Sequence, residues 1–250
     1  MKYLQMIFEL IQGTFNRVIL KIFSDRIKPN SKVHKFIWNF GVKGELFYQK
    51  RFIKTIKETS LCNPDTQLQE YIKELLINHK DPTIKILDVG AGTMTLIGKK
   101  WDNKQIEITA VDPLADKYNK VLRKYNINPP VVTQVGFAEK LVEQFGKNSF
   151  DIVHAINSID HCFNPVIAIQ QMLDVVKKDS YVVLHHHMNE GKEHNYSGLH
   201  QWNFFVKDGI FFISNIKLKI NINKEFEELA NIKVIIKDDG KHFFVTFQKK

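Results

Sequence analysis

Cysteine is scarce in this sequence, which has two, Cys62 and Cys162, among 250 residues. Two thiols cannot build a disulfide framework or a four-thiolate zinc site, and this excludes the class of small secreted proteins held together by disulfides. A reducing compartment suits such a chain. We therefore expect a cytoplasmic protein.

Long apolar runs are missing as well. The first 23 residues are rich in apolar side chains, but Glu9, Gln12 and Arg17 interrupt them and no small-residue cleavage site follows. We therefore expect neither a signal peptide nor a membrane-spanning helix. The apolar residues recur instead at steps of three and four, which predicts an amphipathic helix. Its apolar face packs on the main domain, on a second copy in a homodimer, or peripherally on the inner membrane, and the sequence leaves these alternatives open.

Arginine-rich runs are a third absence. The formal net charge is +9, but the lysines are spread along the chain or stand in short pairs such as Lys99-Lys100. No nucleic-acid-binding module is recognisable either. A solvated lysine surface accounts for most of this charge, and the remainder favours a small polar or anionic substrate or a membrane surface over a nucleic acid.

From residue 84 onward, short β-branched runs alternate with helical patterns. This alternation is typical of successive βαβ units, and it predicts a doubly wound α/β fold with a mostly parallel, Rossmann-like sheet. Parallel strands are predicted at residues 84–89, 106–112, 131–135, 150–155 and 181–187. Helices are predicted at residues 66–78, 95–101, 114–125, 138–145 and 166–177.

A turn signal at Asp239-Gly240 lies between two further strand patterns, residues 232–237 and 243–248. Such a pattern predicts a β-hairpin. We expect this C-terminal antiparallel pair to complete a sheet of seven strands.

A second hairpin is predicted around Asp208-Gly209, within residues 203–220. We expect it to belong to an insertion near the functional site, at residues 188–220. The chain is then expected to divide into an N-terminal helical lobe, residues 1–80, and a main domain, residues 81–250.

A glycine turn, with Asp88 before it and Gly90 and Gly92 within it, follows the first predicted strand. Glycine at such a turn lets the backbone approach a ligand closely. Asp112 ends the next strand, and adjacent parallel strands bring their C-terminal ends together, so its carboxylate can accept both hydroxyls of a ribose. These residues predict a site for a nucleoside-bearing cofactor.

A nicotinamide dinucleotide, the cofactor of many oxidoreductases, is the alternative ligand for this turn. Its diphosphate favours a third glycine at the helix N-terminus, where this sequence has Thr95. Asp88 would repel a phosphate but suits the ammonium or sulfonium end of a cationic ligand. Both residues argue against a diphosphate.

The sequence Leu-Asp-Val-Gly-Ala-Gly at residues 87–92 resembles motif I of the class I S-adenosylmethionine-dependent methyltransferases, and Val-Asp-Pro at 111–113 resembles their second-strand acidic motif. Residues 136–139 follow the third strand, where that family contacts adenine. Phe-Asp-Ile-Val at 150–153 and Ile-Asp-His at 159–161 resemble the fourth-strand pattern of the type 11 group. The resemblance covers roughly residues 84–184 and implies methyl transfer from S-adenosylmethionine.

The resemblance also implies a set of cofactor-binding residues. The set is Asp88, Gly90, Ala91 and Gly92 for the methionine portion, Asp112 and Pro113 for the ribose, Phe137 and Ala138 for the adenine, and Ala155 and Asn157 for the sulfonium.

Histidines cluster after the fifth predicted strand, at residues 185–187 and again at His194 and His200. Alternate side chains of a strand face the same way, so His185 and His187 should point to one side and His186 to the other. Histidine titrates near neutrality and can accept a hydroxyl proton or hold an anion. The expected catalytic residues are His200, His161 and His187.

Three interpretations of these histidines stay open: polar lining of the pocket, a general base, and a divalent metal site. For the metal site, the candidate ligands would be His185 and His187 with Glu190, His194 or His200. Because the spacing matches no strong metal motif, we assign no metal ligand.

The stretch Gly-Leu-His-Gln-Trp-Asn-Phe at residues 198–204 resembles methyltransferases encoded with bacterial surface-polysaccharide genes. We therefore expect O-methylation of a small polar, phosphorylated or nucleotide-linked precursor in capsule or surface-polysaccharide biosynthesis. The alternatives are a nicotinamide-dependent oxidoreductase and a non-enzymatic, cofactor-binding or membrane-recruited partner protein.

Overall fold

A computed structural model describes residues 14, 38, 39, 41, 42, 44–47, 49, 53, 62–196 and 198–250. The predicted N-terminal amphipathic helix lies almost wholly outside these residues, and the division of the chain at residue 80 stays a prediction. The described residues between 38 and 53 are helical. Within the described part of the chain, no helix has the length and apolar composition needed to cross a bilayer.

A seven-stranded sheet forms the centre of the molecule. Its strands are β1 (Thr83–Val89), β2 (Gln105–Asp112), β3 (Gln134–Val135), β4 (Phe150–Ile156), β5 (Val176–His187), β9 (Ala230–Ile236) and β10 (His242–Lys249). Their order across the sheet is β3-β2-β1-β4-β5-β10-β9. The first five strands in this order are parallel, whereas β10 runs antiparallel to both β5 and β9. The predicted doubly wound, mostly parallel sheet with an antiparallel C-terminal hairpin is confirmed.

Short helices connect these strands. They are α1 (Glu70–Leu75), α2 (Ala115–Lys124), α3 (Leu141–Phe145), α4 (Pro165–Val175), α5 (Glu190–Glu193) and α6 (Ile222–Glu225), with 3-10 turns at Ala138–Lys140 and Ile159–His161. The start of α4 shows how local sequence sets a boundary: the Asn164 side chain accepts hydrogen bonds from the backbone N–H groups of Val166 and Ile167, and Pro165 takes the first helical position.

Burial explains why the central strands read as apolar runs. In β4 every residue except Ile156 is buried, and the last four residues of β1 are buried as well. A parallel sheet covered on both faces has this pattern, because neither face meets water. The carboxyl ends of β1 and β4, where the site lies, therefore stand on a buried layer.

A second, three-stranded antiparallel sheet consists of β6 (Asn203–Lys207), β7 (Ile210–Ser214) and β8 (Lys219–Asn221). The structure confirms the hairpin predicted around Asp208-Gly209 and adds the third strand. Phe204 and Phe211 belong to the same buried cluster as Phe243 of β10. The small sheet thus packs on the core of the large one.

The helix predicted at 95–101 is wrong, and the one predicted at 66–78 shrinks to α1. The two segments pair with each other instead: Leu68 N donates to Lys100 O at 2.8 Å, and Lys99 N donates to Thr66 O at 2.7 Å. Backbone groups used in this pairing cannot form helical bonds. The approach is so close that a Cβ on Gly98 would lie 1.9 Å from the carbonyl oxygen of Gln67.

Candidate functional site

A cavity of about 210 Å³ opens at the carboxyl ends of β1, β2 and β4. Ligands of open α/β sheets bind at this edge, where strand order reverses on either side of β1. The cavity is lined by strand ends, by the turns that follow them and by side chains of the N-terminal helical segment, among them Trp38, Glu45 and Gln49.

The glycine turn after β1 forms the floor of the cavity. Gly90 and Gly92 have φ values of 72° and 63°, in the left-handed region that L side chains rarely adopt. A Cβ on Gly90 would lie 2.4 Å from the Ser158 side chain, whereas a Cβ on Gly92 would meet nothing nearer than Gln49 Nε2 at 3.8 Å. Gly90 is therefore required by packing, and Gly92 leaves open space for a ligand.

Asp112 closes the neighbouring strand beside this turn. Its Oδ2 accepts a hydrogen bond from Gly92 N at 3.1 Å, and its Oδ1 accepts one from Leu114 N at 2.8 Å. Burial raises the pKa of Asp112 to about 6, and the negative charges of Glu45 and Asp88 act in the same direction against these two hydrogen bonds. Each carboxylate oxygen keeps a lone pair, so the group can accept two further hydrogen bonds from a ribose.

The structure brings most of the predicted cofactor-binding residues together. Eight of them line the cavity: Gly90, Ala91, Gly92, Asp112, Pro113, Phe137, Ala138 and Asn157. Asp88 and Ala155 do not. The carboxylate of Asp88 lies behind the wall, with Oδ1 3.4 Å from His154 Nδ1, and His154 Nε2 lies 2.8 Å from the Tyr71 hydroxyl. Ala155 is fully buried in β4.

Three polar side chains, Asp160, His161 and His200, meet beside the cavity, and we call them the histidine–aspartate cluster. His200 Nδ1 lies 2.9 Å from Asp160 Oδ2 and 3.0 Å from His161 Nε2, and the third edge, His161 Nε2 to Asp160 Oδ2, is 3.5 Å. His161 lines the cavity itself. Its carbonyl oxygen accepts a hydrogen bond from Trp38 Nε1 at 3.1 Å, which connects the cluster to the N-terminal segment.

Burial and neighbouring charges shift the pKa values of Asp160 and of the histidines around it. Burial alone raises the pKa of Asp160, but the neighbouring His161 and the hydrogen bond from His200 lower it well below its usual range. Burial alone lowers the pKa of His200, yet the hydrogen bond and charge of Asp160 raise it overall. Burial also lowers the pKa of His186, whose Nδ1 lies 3.9 Å from Asp160, to about 4. Asp160 is therefore ionised, and His200 carries its balancing proton more readily than His186.

His187 lies apart from the other two predicted catalytic residues. Its Nε2 contacts His242 Nε2 at 2.9 Å on β10, and it does not line the cavity. His185 faces the same way and stacks on Phe244, whereas His186 faces Asp160. The alternation expected for a strand is thus observed, and it separates His187 from the cavity. We do not retain a catalytic role for it.

Sequence reasoning missed several residues of the site. Glu139 accepts hydrogen bonds from Phe163 N at 2.7 Å and Asn164 N at 3.1 Å, and it lines the cavity. Asp160 went unassigned although it precedes His161, and this adjacency was the available signal. No local pattern pointed to Trp38 and Glu45, because they reach the cavity from a segment far away in sequence.

A close backbone approach joins the N-terminal segment to the loop that carries His200. A Cβ on Gly41 would lie 2.6 Å from the carbonyl oxygen of Gly198. Nearby, Val42 and Leu199 belong to one buried cluster with Leu114 and Tyr118. Both segments therefore contribute to the wall of the cavity, which Trp38 and Leu199 line.

Comparison with known proteins gives a family match. Residues 62–219, well over half of the chain, match a family described as a methyltransferase domain. No curated protein matches this sequence. The alternative of a nicotinamide-dependent oxidoreductase is not favoured by this match.

Several solved structures are similar to this chain at low sequence identity. The CurJ carbon methyltransferase matches with a TM-score of 0.54 and 13% identity, over 95% of this chain and 70% of that one. An S-adenosylmethionine-dependent methyltransferase from Clostridium acetobutylicum gives a TM-score of 0.45 and 11% identity, over 83% and 98%. The PH0226 protein from Pyrococcus horikoshii gives 0.43 and 15%, over 79% and 99%.

Proposed function

The chain belongs to the methyltransferase-domain family and is an enzyme that uses S-adenosylmethionine, and we propose that it methylates a hydroxyl oxygen of a small polar acceptor. The observation that carries this proposal is the position of His161, which lies in the cavity wall and is held by Asp160 and His200. Methyl transfer to oxygen needs a place where the hydroxyl proton is lost, and this cluster offers one.

The residues at the floor of the cavity fit the cofactor. Gly92 leaves room where a side chain would stand, and the carboxylate of Asp112 has two lone pairs free for the ribose hydroxyls. Phe137, which is 36% exposed, offers an apolar surface for the adenine. We propose that the eight cavity-lining residues of the predicted set bind the cofactor.

The chemistry follows from this arrangement. When bound, S-adenosylmethionine supplies a methyl group on a positively charged sulfur. The acceptor oxygen attacks the methyl carbon in line with the carbon–sulfur bond, and the electron pair of that bond stays on sulfur. The protein aligns the acceptor, excludes water and favours loss of the hydroxyl proton at the histidine–aspartate cluster.

The lining of the cavity restricts the acceptor. Its described residues include the carboxylates Glu45, Asp112 and Glu139 but neither lysine nor arginine. A neutral, hydroxyl-bearing group therefore suits the reacting end of the acceptor. The overall charge of +9 favours an anionic remainder, which would bind outside this wall.

A precursor of a surface glycan is the finer candidate. Its support is the stretch at residues 198–204, which resembles methyltransferases of surface-polysaccharide gene clusters and contains His200 of the histidine–aspartate cluster. A phosphorylated or nucleotide-linked sugar combines the neutral hydroxyls and the anionic remainder that the site and the charge favour. We propose a cytoplasmic reaction, since such precursors are made there.

Incubation with S-adenosylmethionine carrying a ¹³C-labelled methyl group tests the proposal. The acceptors are a free sugar, the same sugar as its phosphate and as its nucleotide diphosphate, and the matching amino sugar. We expect an O-methyl product, identified by the ¹³C chemical shift of the transferred methyl group. Transfer only to the amine, or no transfer while the demethylated cofactor binds in calorimetry, would contradict the proposal.

A further inference from the structure

The three ligand-type atoms of the histidine–aspartate cluster form a tight triangle. The edges between Asp160 Oδ2, His161 Nε2 and His200 Nδ1 measure 2.9, 3.0 and 3.5 Å. Around an ion with bonds of roughly 2.1 Å, adjacent ligand atoms stand about 3.0 Å apart in octahedral and about 3.4 Å apart in tetrahedral geometry. The observed triangle has the dimensions of one face of such a coordination shell.

Hydrogen bonds alone do not account for the short distances in this triangle. His200 Nδ1 faces both Asp160 Oδ2 and His161 Nε2, but it carries at most one proton. A straight N–H···N bond of this length would place the two ring centres roughly 5.3 Å apart. The rings of His161 and His200 are closer, with centroids at 4.4 Å and planes at 71°. This closer, steeply tilted arrangement does not fit a straight N–H···N bond between the two rings.

Two buried carboxylate oxygens near the triangle have no hydrogen-bond partner. They are Asp160 Oδ1 and Glu190 Oε2. Asp160 is 2% exposed, so its charge is withdrawn from water and requires compensation within the protein. A divalent cation beside Asp160 would take the place of the proton on His200 as the compensating charge.

A second group, Glu190, His194 and His200, also brings ligand atoms within 4.8 Å of one another. The rings of His194 and His200 are nearly parallel, at 18° and 4.5 Å between centroids. Ring lone pairs lie in the ring plane, so two stacked rings do not converge on one ion.

We propose that Asp160, His161 and His200 bind a divalent transition metal ion such as Zn²⁺, and that this ion coordinates the oxygen of the acceptor. Two imidazole nitrogens and one carboxylate are a common ligand set for such ions, with the remaining positions open to water or substrate. The sequence analysis assigned no metal ligand, because two ligands are adjacent in sequence and the third lies some 40 residues away.

This proposal rests on the proposed function, and it assigns the loss of the acceptor's hydroxyl proton to coordination of the hydroxyl by the ion. A hydroxyl bound to the ion loses its proton to water, which leaves a metal-bound alkoxide. The alkoxide attacks the methyl carbon, and the electron pair of the broken bond stays on sulfur. The ion also provides the positive charge that the described cavity lining, with its three carboxylates, does not contain.

Metal binding is tested on the full chain after treatment with a chelator and dialysis. Zn²⁺ is titrated by calorimetry, and Co²⁺ is titrated by its visible absorption, whose intensity and position report the coordination geometry. We expect one ion per chain, and at least 100-fold weaker binding for His161→Gln and for His200→Gln. The matched control is His242→Gln, because His242 and His187 also place two ring nitrogens 2.9 Å apart, and it should bind the ion as the parent does.

The outcomes separate this proposal from the proposed function. No ion bound by the parent chain, or binding lost in His242→Gln but kept in His161→Gln, would overturn the metal site. If the demethylated cofactor binds and methyl transfer proceeds undiminished in chelator, the metal site fails and the methyltransferase stands. If Co²⁺ binds through histidine but no methyl transfer occurs with or without the ion, the proposed acceptor chemistry fails. Two histidine variants are used because both side chains are partly exposed, so that folding is less at risk than with buried Asp160.

Discussion

The two sides of the cavity are built in different ways. The side to which we assign the cofactor consists of the glycine turn at residues 90–92 and of Asp112, which follow or end neighbouring strands; the backbone N–H of Gly92 donates a hydrogen bond to the Asp112 carboxylate. The acceptor side consists of side chains from three distant segments, near Trp38, at residues 160–161 and at residues 199–200. In our proposal the first side binds the nucleoside through strand-end backbone and one carboxylate, whereas the second side binds the acceptor through polar side chains. A different acceptor would then require different side chains on the second side. The comparison suggests that cofactor binding and acceptor activation can be perturbed separately.

Removal of the Asp112 carboxylate should give the largest effect. In Asp112→Ala we expect S-adenosylhomocysteine to bind about 10³-fold more weakly, since hydrogen bonds to a charged group contribute roughly 1.5–3 kcal/mol each. Calorimetry measures the loss. Glu107→Ala, an exposed change on the same strand, is the control and should bind normally. A loss below about fivefold would mean that Asp112 does not hold the ribose.

Removal of the His161 side chain should lower turnover without weakening cofactor binding. His161→Ala is expected to lower kcat by about 10²-fold, because it removes a group that favours proton loss from the acceptor. The affinity for S-adenosylhomocysteine should stay within about twofold, since His161 belongs to the acceptor side. Steady-state kinetics and calorimetry on the same preparation measure both quantities. If affinity fell together with kcat, the two sides would not be independent.

Acid should weaken the cofactor side. The pKa of Asp112 is raised to about 6, so the group becomes protonated as the pH falls through that value and then loses its charge and acceptor capacity. We expect the Kd of S-adenosylhomocysteine to rise about tenfold for each pH unit below about 6. Asp112→Asn should bind weakly with a flat profile over the same range. A parent profile that is equally flat would assign the ribose contact to another group.

The smallest effect is expected at His187. It contacts His242 outside the cavity, so His187→Ala should change kcat and cofactor affinity by less than about twofold. Comparison of kcat between His187→Ala and His161→Ala tests whether the effect depends on the position of the histidine relative to the cavity. A loss comparable to that of His161→Ala would restore His187 as a catalytic residue and extend the acceptor side along β5.

The sequence was sufficient to predict the sheet and the meeting of the glycine turn with Asp112 at its edge, and the reason is physical. Strand periodicity, the turn at Gly90 and the carboxylate at Asp112 are local features, and parallel pairing brings the strand ends together without further information. The helix predicted at 95–101 failed because residues 66–68 occupy its backbone groups, a tertiary contact that propensity does not contain.

The acceptor side was less predictable for the same reason. His161 and His200 were proposed separately, but their meeting with Asp160 depends on how the loop after α5 folds back over the end of β4. The exclusion of His187 depends on which face of β5 points towards the cavity. Alternation predicted that neighbouring histidines diverge, yet it could not decide which of them faces inward.

The contact between Gly41 and Gly198 has a consequence for the diversification of this enzyme. A side chain at position 41 would collide with the backbone of Gly198, so the N-terminal segment cannot gain one there unless the loop that carries His200 retreats. Position 198 itself has open space, but its φ of 59° is one that L side chains rarely adopt. A larger residue at position 41 would therefore require a matching change in that loop. A chimera that receives only the loop that carries His200 from another protein should pack poorly against the N-terminal segment and lose the shape of the pocket.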